Sequence, residues 1–313
     1  MYAATIRSGL VESTHPWVGA AVASSGEVVA AWGDIDRPLF YRSAIKALQA
    51  TASIEAGADL DTQQLALACA SHSGQPVHVA IVESMLAGAG LDETRLQCPA
   101  DPPLGRSARM RLIQAGDPPR RVLHNCSGKH AAFLIACQAS HWDLDSYLDP
   151  HHPLQRRVID LVEEVSGVDP QPVGIDGCGA PTLRGTVRGL ATCFARLSDD
   201  PRLSPARTAT MRYPALTSGN DRADGRFAMW WGGPSKGGAE GLMAAARNGV
   251  GLAVKSLDGS LRIAVLGLIE MARRLDLISP GALAALAADH VPAVTGGGRQ
   301  VGSIVADLTA WQR

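Results

Sequence analysis

Lysine is nearly missing from this chain. Of its 29 basic residues only four, Lys46, Lys129, Lys236 and Lys255, are lysine; the rest are arginine. An excess of charge of either sign is missing as well. The formal net charge is −1, with no basic block and no acidic tail, which excludes nucleic acid or an anionic membrane surface as the main partner. No apolar run is long enough to span a bilayer, and no segment repeats at a fixed period. No strand leads into a phosphate-binding G-x-x-x-x-G-K-S/T loop, and no organic cofactor is expected. No low-complexity linker divides the chain, so residues 1–313 are expected to form a single domain. Nothing after Met1 reads as a signal peptide. The six cysteines are therefore expected to be reduced thiols in a cytoplasmic protein.

What is present is a globular composition, 46% hydrophobic, with turn signals at short intervals. VGAAVASSGEVVAAWGD predicts two strands around a Ser-Gly turn. Residues 43–56, 61–70 and 77–89 predict helices, the third closed by a glycine. Residues 98–120, rich in proline and arginine, read as loop, and residues 203–213 give no clear pattern. HNCSGKHAAFLIACQAS reads as a loop entering a buried helix. DPHHPLQRRVIDLVEEVSG reads as a helix with proline near its start and glycine at its end. VGIDGCGAPT is a turn-rich loop after a short strand. GLMAAARNGVGLAVKSLDGSLRIAVLGLIEMARRL predicts strand, strand, turn and helix, with Lys255 at the end of the second strand. These elements predict an α/β fold of the α+β type, with an antiparallel or mixed sheet flanked by helices.

Four stretches could carry chemistry. In YRSAIKALQA, Ser43 and Lys46 lie three apart and share a helix face. A serine hydroxyl needs a neighbour to take its proton, and a neutral amine can do so where a guanidinium cannot. The same spacing also suits a helix cap and a solvated lysine. In CASHSGQPVH, Ser71, His72, Ser73 and His78 crowd a break between helices, which plain helix termination would explain equally. In HNCSGKH and GIDGCGAPT, Cys126, Lys129 and Cys178 could supply two thiolates and a nitrogen to zinc, with His124 and His130 as competing nitrogens. Either cysteine could instead be a nucleophile or merely structural. In PSKGGAEG, Lys236 and Glu240 sit among glycines that would let a backbone approach a ligand, or form a loose loop. VTGGGRQVG reads the same way. Cys69, Cys137 and Cys193, in apolar runs, are expected to pack as small hydrophobes.

The order RSAIK, CASHSG, HNCSGKH, GIDGCGAPT, KGGAEG, GLAVKSLDG, from about residue 8 to about residue 300, resembles the Rhizobium-type L-asparaginases, the asparaginase II family. NCSGKH and DGC-x-x-PT carry the resemblance most specifically. It implies a fold similar to serine β-lactamases and serine-dependent glutaminases, usually a homodimer. It implies hydrolysis of a small molecule, L-asparagine, to L-aspartate and ammonia through an acyl-enzyme. Two Ser–Lys pairs are implied, Ser43 with Lys46 and Ser71 with Lys255. Arg42, His130 and Asp176 match positions near the substrate. Cys126, Lys129 and Cys178 match ligands of a zinc that is structural or positions substrate. Three of the four lysines thus fall at implied site positions. The CGAPT loop departs from a CNLPT-type loop in some relatives. Glutamine or a β-lactam-type amide as substrate, or a non-catalytic zinc-binding homologue, stay as alternatives.

Overall fold

The computed structural model describes residues 1–291 and 293–307. They form two compact units. The first comprises Met1–Ala44, Gly185–Asp199 and Phe227 onward; the second comprises Ile45–Arg184 and Asp200–Arg226. Among the described residues no helix is long and apolar enough to cross a membrane.

The first unit is built on an antiparallel sheet. Its strands run in the order Val294–Gly296, Arg299–Val305, Tyr2–Arg7, Leu10–Ala23, Val250–Ser256, Leu242–Arg247, Ser235–Gly238, and Val28–Trp32 also pairs with the long Leu10–Ala23 strand. The Leu10–Ala23 strand pairs with Val250–Ser256 in a register that sets Gly19 against Val254 and Val22 against Gly251. Side chains alternate between the two faces, so Gly251 and Val254 look in opposite directions. At Gly251 a Cβ would stand 2.0 Å from the Ala191 carbonyl oxygen, because the Val187–Asp199 helix lies on that face. Gly19 and Val254 instead meet Met271 and Gly267 of the Leu261–Arg274 helix. The sheet is therefore covered by a helix on each face. Trp17, Met243, Leu252, Val254, Phe227 and Trp231 form the core on the second of these faces. Burial of such side chains contributes about 1.5–3 kcal/mol each.

The second unit is mostly helical. The Lys46–Glu55 helix is buried from Lys46 to Ser53 and packs against Ser127–Ala139, Pro153–Ser166 and Ser204–Arg212. The starts follow from local chemistry. Asp61 and Gln64 form a reciprocal cap on Thr62–Ala68, and Pro153 opens Pro153–Ser166, which Gly167 closes in the left-handed region. The Ser127–Ala139 helix approaches Thr62–Ala68 so closely that a Cβ at Gly128 would lie 2.6 Å from the Leu67 carbonyl oxygen.

The expected fold class is the one found: a mixed α/β chain with an antiparallel sheet and flanking helices. Several local readings are corrected. Residues 98–120 are not loop throughout, because Arg106–Ala115 is helical. Its arginine, alanine, leucine and glutamine are good helix formers, and the prolines only bracket it. Only Ala108 of that helix is buried, so no apolar stripe announced it. Ser204–Arg212, without a clear pattern in sequence, is a helix. VTGGGRQVG is a hairpin, with Gly297 and Gly298 at positive φ between its strands.

Two histidines cap chain segments in the second unit. Nδ1 of His72 accepts the Gly74 N–H (3.2 Å), and Nδ1 of His78 accepts the Gln75 N–H (3.1 Å). Both roles require an unprotonated nitrogen. Burial is the main reason that each is held below the ordinary value of 6.5, His72 far below. A depressed native value means that the unfolded chain binds more protons between that value and 6.5, so stability is lost as pH falls through this window. The slope is at most about 1.4 kcal/mol per pH unit per histidine. His78→Gln keeps an acceptor at the same position of the cap but cannot titrate. Thermal melts from pH 7.5 to 5 should show a falling midpoint in wild type and a smaller fall in His78→Gln; parallel curves would contradict this.

Candidate active site

The second unit holds a buried polar cluster. Lys46, the first residue of its helix, is fully buried. Its Nζ donates to the Ala70 carbonyl, lies 3.1 Å from Ser71 Oγ and lies 3.2 Å from Cys126 Sγ. The acceptor strand of chain is fixed by its own backbone: the Ser71 N–H donates to the Thr217 carbonyl (2.9 Å) and the His72 N–H to the Asn125 carbonyl (3.1 Å). Cys126 is the cap residue of the Ser127–Ala139 helix, and its N–H donates to His124 Nδ1 (3.0 Å). The glycine contact between Gly128 and Leu67 lets these two segments meet.

Beside it, Cys126 and Cys178 share a hydrogen bond that holds Cys178 far down as the thiolate and pushes the Cys126 thiol well up, burial adding to the latter. Lys129 donates to Cys178 Sγ at 3.3 Å. Burial alone would oppose its charge, but Cys178, Cys126 and Asp176 together hold it above its ordinary value. His130 is fully buried and its Nδ1 lies 2.8 Å from the Tyr147 hydroxyl. Its Nε2 is buried without a well-formed hydrogen bond, although the Cys178 sulfur is close enough to act on the ring. Burial lowers His130, and it lowers His124 to about 4, keeping both neutral. Cys98, for which the sequence offered no reading, borders the cluster as a protonated thiol. Burial, with Cys178 nearby, pushes it up to about 12.

Two cysteine sulfurs, the Lys129 nitrogen once it has lost its proton, and the nearby Nε2 of His130 form a soft nitrogen–sulfur donor set of the type that zinc takes. No group of three or more His, Cys, Asp or Glu side chains among the described residues is arranged to hold a metal. A zinc site here thus depends on Lys129 as a ligand.

The first unit holds Arg42, Ser43 and Lys255. Arg42 opens the short 3-10 turn Arg42–Ile45 with φ +48°, in the left-handed region, and Ser43 follows it, half-buried. Lys255 Nζ donates to the carbonyls of Glu240 (2.6 Å) and Ser256. Burial is the main reason that Lys255 is lowered, against the opposing pull of Glu240 and Asp258.

The structure therefore brings Lys46, Ser71, Cys126, Lys129, His130 and Cys178 into one connected cluster, with Asp176 half-buried near Lys129. The lysine bonded to Ser71 is Lys46; the expected pairs Ser43–Lys46 and Ser71–Lys255 each join a residue of the first unit to one of the second. Tyr147 escaped sequence reasoning, since YLDPHH gives no sign that its ring would be buried. Lys236, singled out in PSKGGAEG, is buried and donates to the Gly237 carbonyl (2.9 Å).

Against known proteins, the sequence model of the family described as L-asparaginase II matches residues 3–306. No curated protein matches the chain. Among solved structures it is similar to Mglu in its native form, at 15% identity and TM-score 0.45, covering 84% of this chain and 65% of that one. Mglu in its glutamate form gives 15% identity and TM-score 0.48, covering 83% and 61%. A beta-lactamase, Mb2281c from Mycobacterium bovis, gives 18% and 0.45, covering 88% and 94%. This chain thus spans under two thirds of the length of those two Mglu chains. At these values the similarity says nothing about chemistry.

Tyr147 is the structural support that can be removed most cleanly. Its hydroxyl also accepts the Gln97 N–H at 2.9 Å. Tyr147→Phe leaves that N–H and His130 Nδ1 without their partner, which costs about 1–3 kcal/mol. Urea unfolding should show a lower midpoint with an unchanged slope; an unchanged midpoint would contradict the assignment.

Proposed function

The chain belongs to the L-asparaginase II family, a family of amidohydrolases, and from that premise we propose that it hydrolyses L-asparagine to L-aspartate and ammonia by a Ser–Lys acyl-enzyme route. The observation that supports this reading most is the fully buried amine of Lys46, 3.1 Å from Ser71 Oγ. A lysine kept dry and in contact with a hydroxyl suits proton transfer better than it suits solubility.

Ser43 Oγ attacks the side-chain amide carbon and Lys46 takes its proton. The left-handed backbone at Arg42 supports the choice of Ser43, because strain of this kind collects at reacting residues. The tetrahedral oxyanion collapses and breaks the C–N bond. The departing nitrogen receives the proton from Lys46, with Ser71 as the relay, and leaves as ammonia. The β-aspartyl ester on Ser43 is then attacked by water, whose proton passes to Lys46 and returns to Ser43 Oγ as L-aspartate leaves. Lys255 donates to two main-chain carbonyls and is given no step in this reading. Cys126, Lys129 and Cys178 would hold zinc, which as a Lewis acid would polarise or position the amide.

One methylene separates asparagine from glutamine and changes binding by only about 1–3 kcal/mol, so both belong in the assay. Ammonia release should be faster with asparagine. It should fall at least about a thousandfold in Ser43→Ala and in Lys46→Arg, both with wild-type circular dichroism. Ser43→Ala at the wild-type rate would remove Ser43 as nucleophile. A Lys46→Arg protein of full activity would remove the amine from the chemistry. Turnover with and without a chelator measures what zinc contributes.

A further inference from the structure

The first unit contains a cavity of about 230 Å³, below the range of about 300–1,000 Å³ usual for drug-sized ligands. Its polar lining is Asp34, Arg37, Arg42, Glu240 and Lys255, and apolar surface comes from residues such as Val18, Val187 and Leu257. Charges of both signs around so small an apolar space suit a small zwitterion better than an anion or a cation alone.

Two features show that the cavity is built. The first is its wall. Arg188 ties the 33–40 loop to the start of the Val187–Asp199 helix, its N–H donating to the Ile35 carbonyl (3.0 Å) and its Nε to Asp36 Oδ1 (2.7 Å). The second is backbone strain. Arg42 (φ +48°) and Glu240 (φ +61°) both adopt the left-handed region, and both line this cavity. At Glu240 that conformation directs the main-chain carbonyl to Lys255 Nζ while the carboxylate stands exposed. Asp34 is differently occupied: its Oδ1 accepts the Asp36 N–H at 3.2 Å, closing its own turn.

We propose that this cavity recognises the charged head of a free α-amino acid, with Glu240 receiving the α-ammonium and Arg37 the α-carboxylate. Glu240 is then the residue that restricts the enzyme to free amino acids, as opposed to amides at large. The inference rests on the amidohydrolase reading above, to which Arg42 links it: Ser43 is the next residue in the chain.

The test compares L-asparagine with succinamate, the same amide without its α-amino group, in ammonia-release assays on the full chain. Wild type should favour asparagine in kcat/KM. Glu240→Gln should reduce that preference about ten- to hundredfold, through KM, because one charge-assisted hydrogen bond is lost. Glu240→Asp, which keeps the charge, should restore most of it. Arg37→Gln should weaken both substrates. A readout without turnover is calorimetric titration with L-aspartate and with succinate: wild type should bind aspartate more tightly, and Glu240→Gln should remove the difference. An unchanged preference in a folded Glu240→Gln protein overturns the inference and leaves the amidohydrolase reading standing. If Glu240→Gln does not fold, wild type decides, since equal use of the two amides overturns it. If wild type hydrolyses neither amide, the amidohydrolase reading fails and titration alone decides. Aspartate binding that depends on Glu240 then keeps the recognition site, and no aspartate binding overturns it.

Discussion

The arrangement depends on one buried nitrogen. Nζ of Lys46 is removed from water and surrounded by the Ala70 carbonyl, Ser71 Oγ and Cys126 Sγ. Burying an amine is costly unless each of its polar contacts is met. Three neighbours match the three donors of an ammonium. The surrounding backbone holds these three acceptors in place. Ser71 and His72 are anchored by Thr217 and Asn125, and the missing side chain at Gly128 lets the helix that carries Cys126 reach them. A larger residue at Gly128 would separate sulfur from nitrogen before it touched either.

The second lysine of the cluster is used in the opposite way. Lys129 sits against the Cys178 thiolate, and the two charges hold each other in place. With Lys46 and Lys129 both present, the neighbouring imidazoles of His72, His124 and His130 are kept neutral, mainly by burial and further by the lysines. The cluster thus separates two kinds of nitrogen. Neutral imidazoles cap backbone and bond to hydroxyls, while amines meet sulfur and oxygen.

Much of this was written in the sequence, for physical reasons that can be named. Lysine scarcity pointed to Lys46 and Lys129 because a lysine amine can lose its proton or bind a metal where a guanidinium cannot. The strands around Lys255 were readable because glycine, alanine and valine there alternate against two helices. The pairing of Lys46 with Ser71 was not readable. It joins residues 25 apart in sequence through a break between helices whose geometry depends on Thr217 and Asn125. The helix Arg106–Ala115 was hidden for the opposite reason: it buries almost nothing, so its pattern has no apolar period. Glu240 was visible only as part of a glycine-rich loop. The left-handed backbone that gives it meaning is a property of the folded turn.

The central claim is that a hydroxyl primed by the Lys46 amine forms an ester with substrate. The most direct measurement is acid quenching during asparagine turnover, followed by digestion and mass spectrometry of the peptide that carries Ser43. The account predicts a β-aspartyl adduct on that peptide in wild type and none in Lys46→Arg. Turnover of asparagine with the ester absent from Ser43 at every quench time, or an adduct that forms equally in Lys46→Arg, would contradict it.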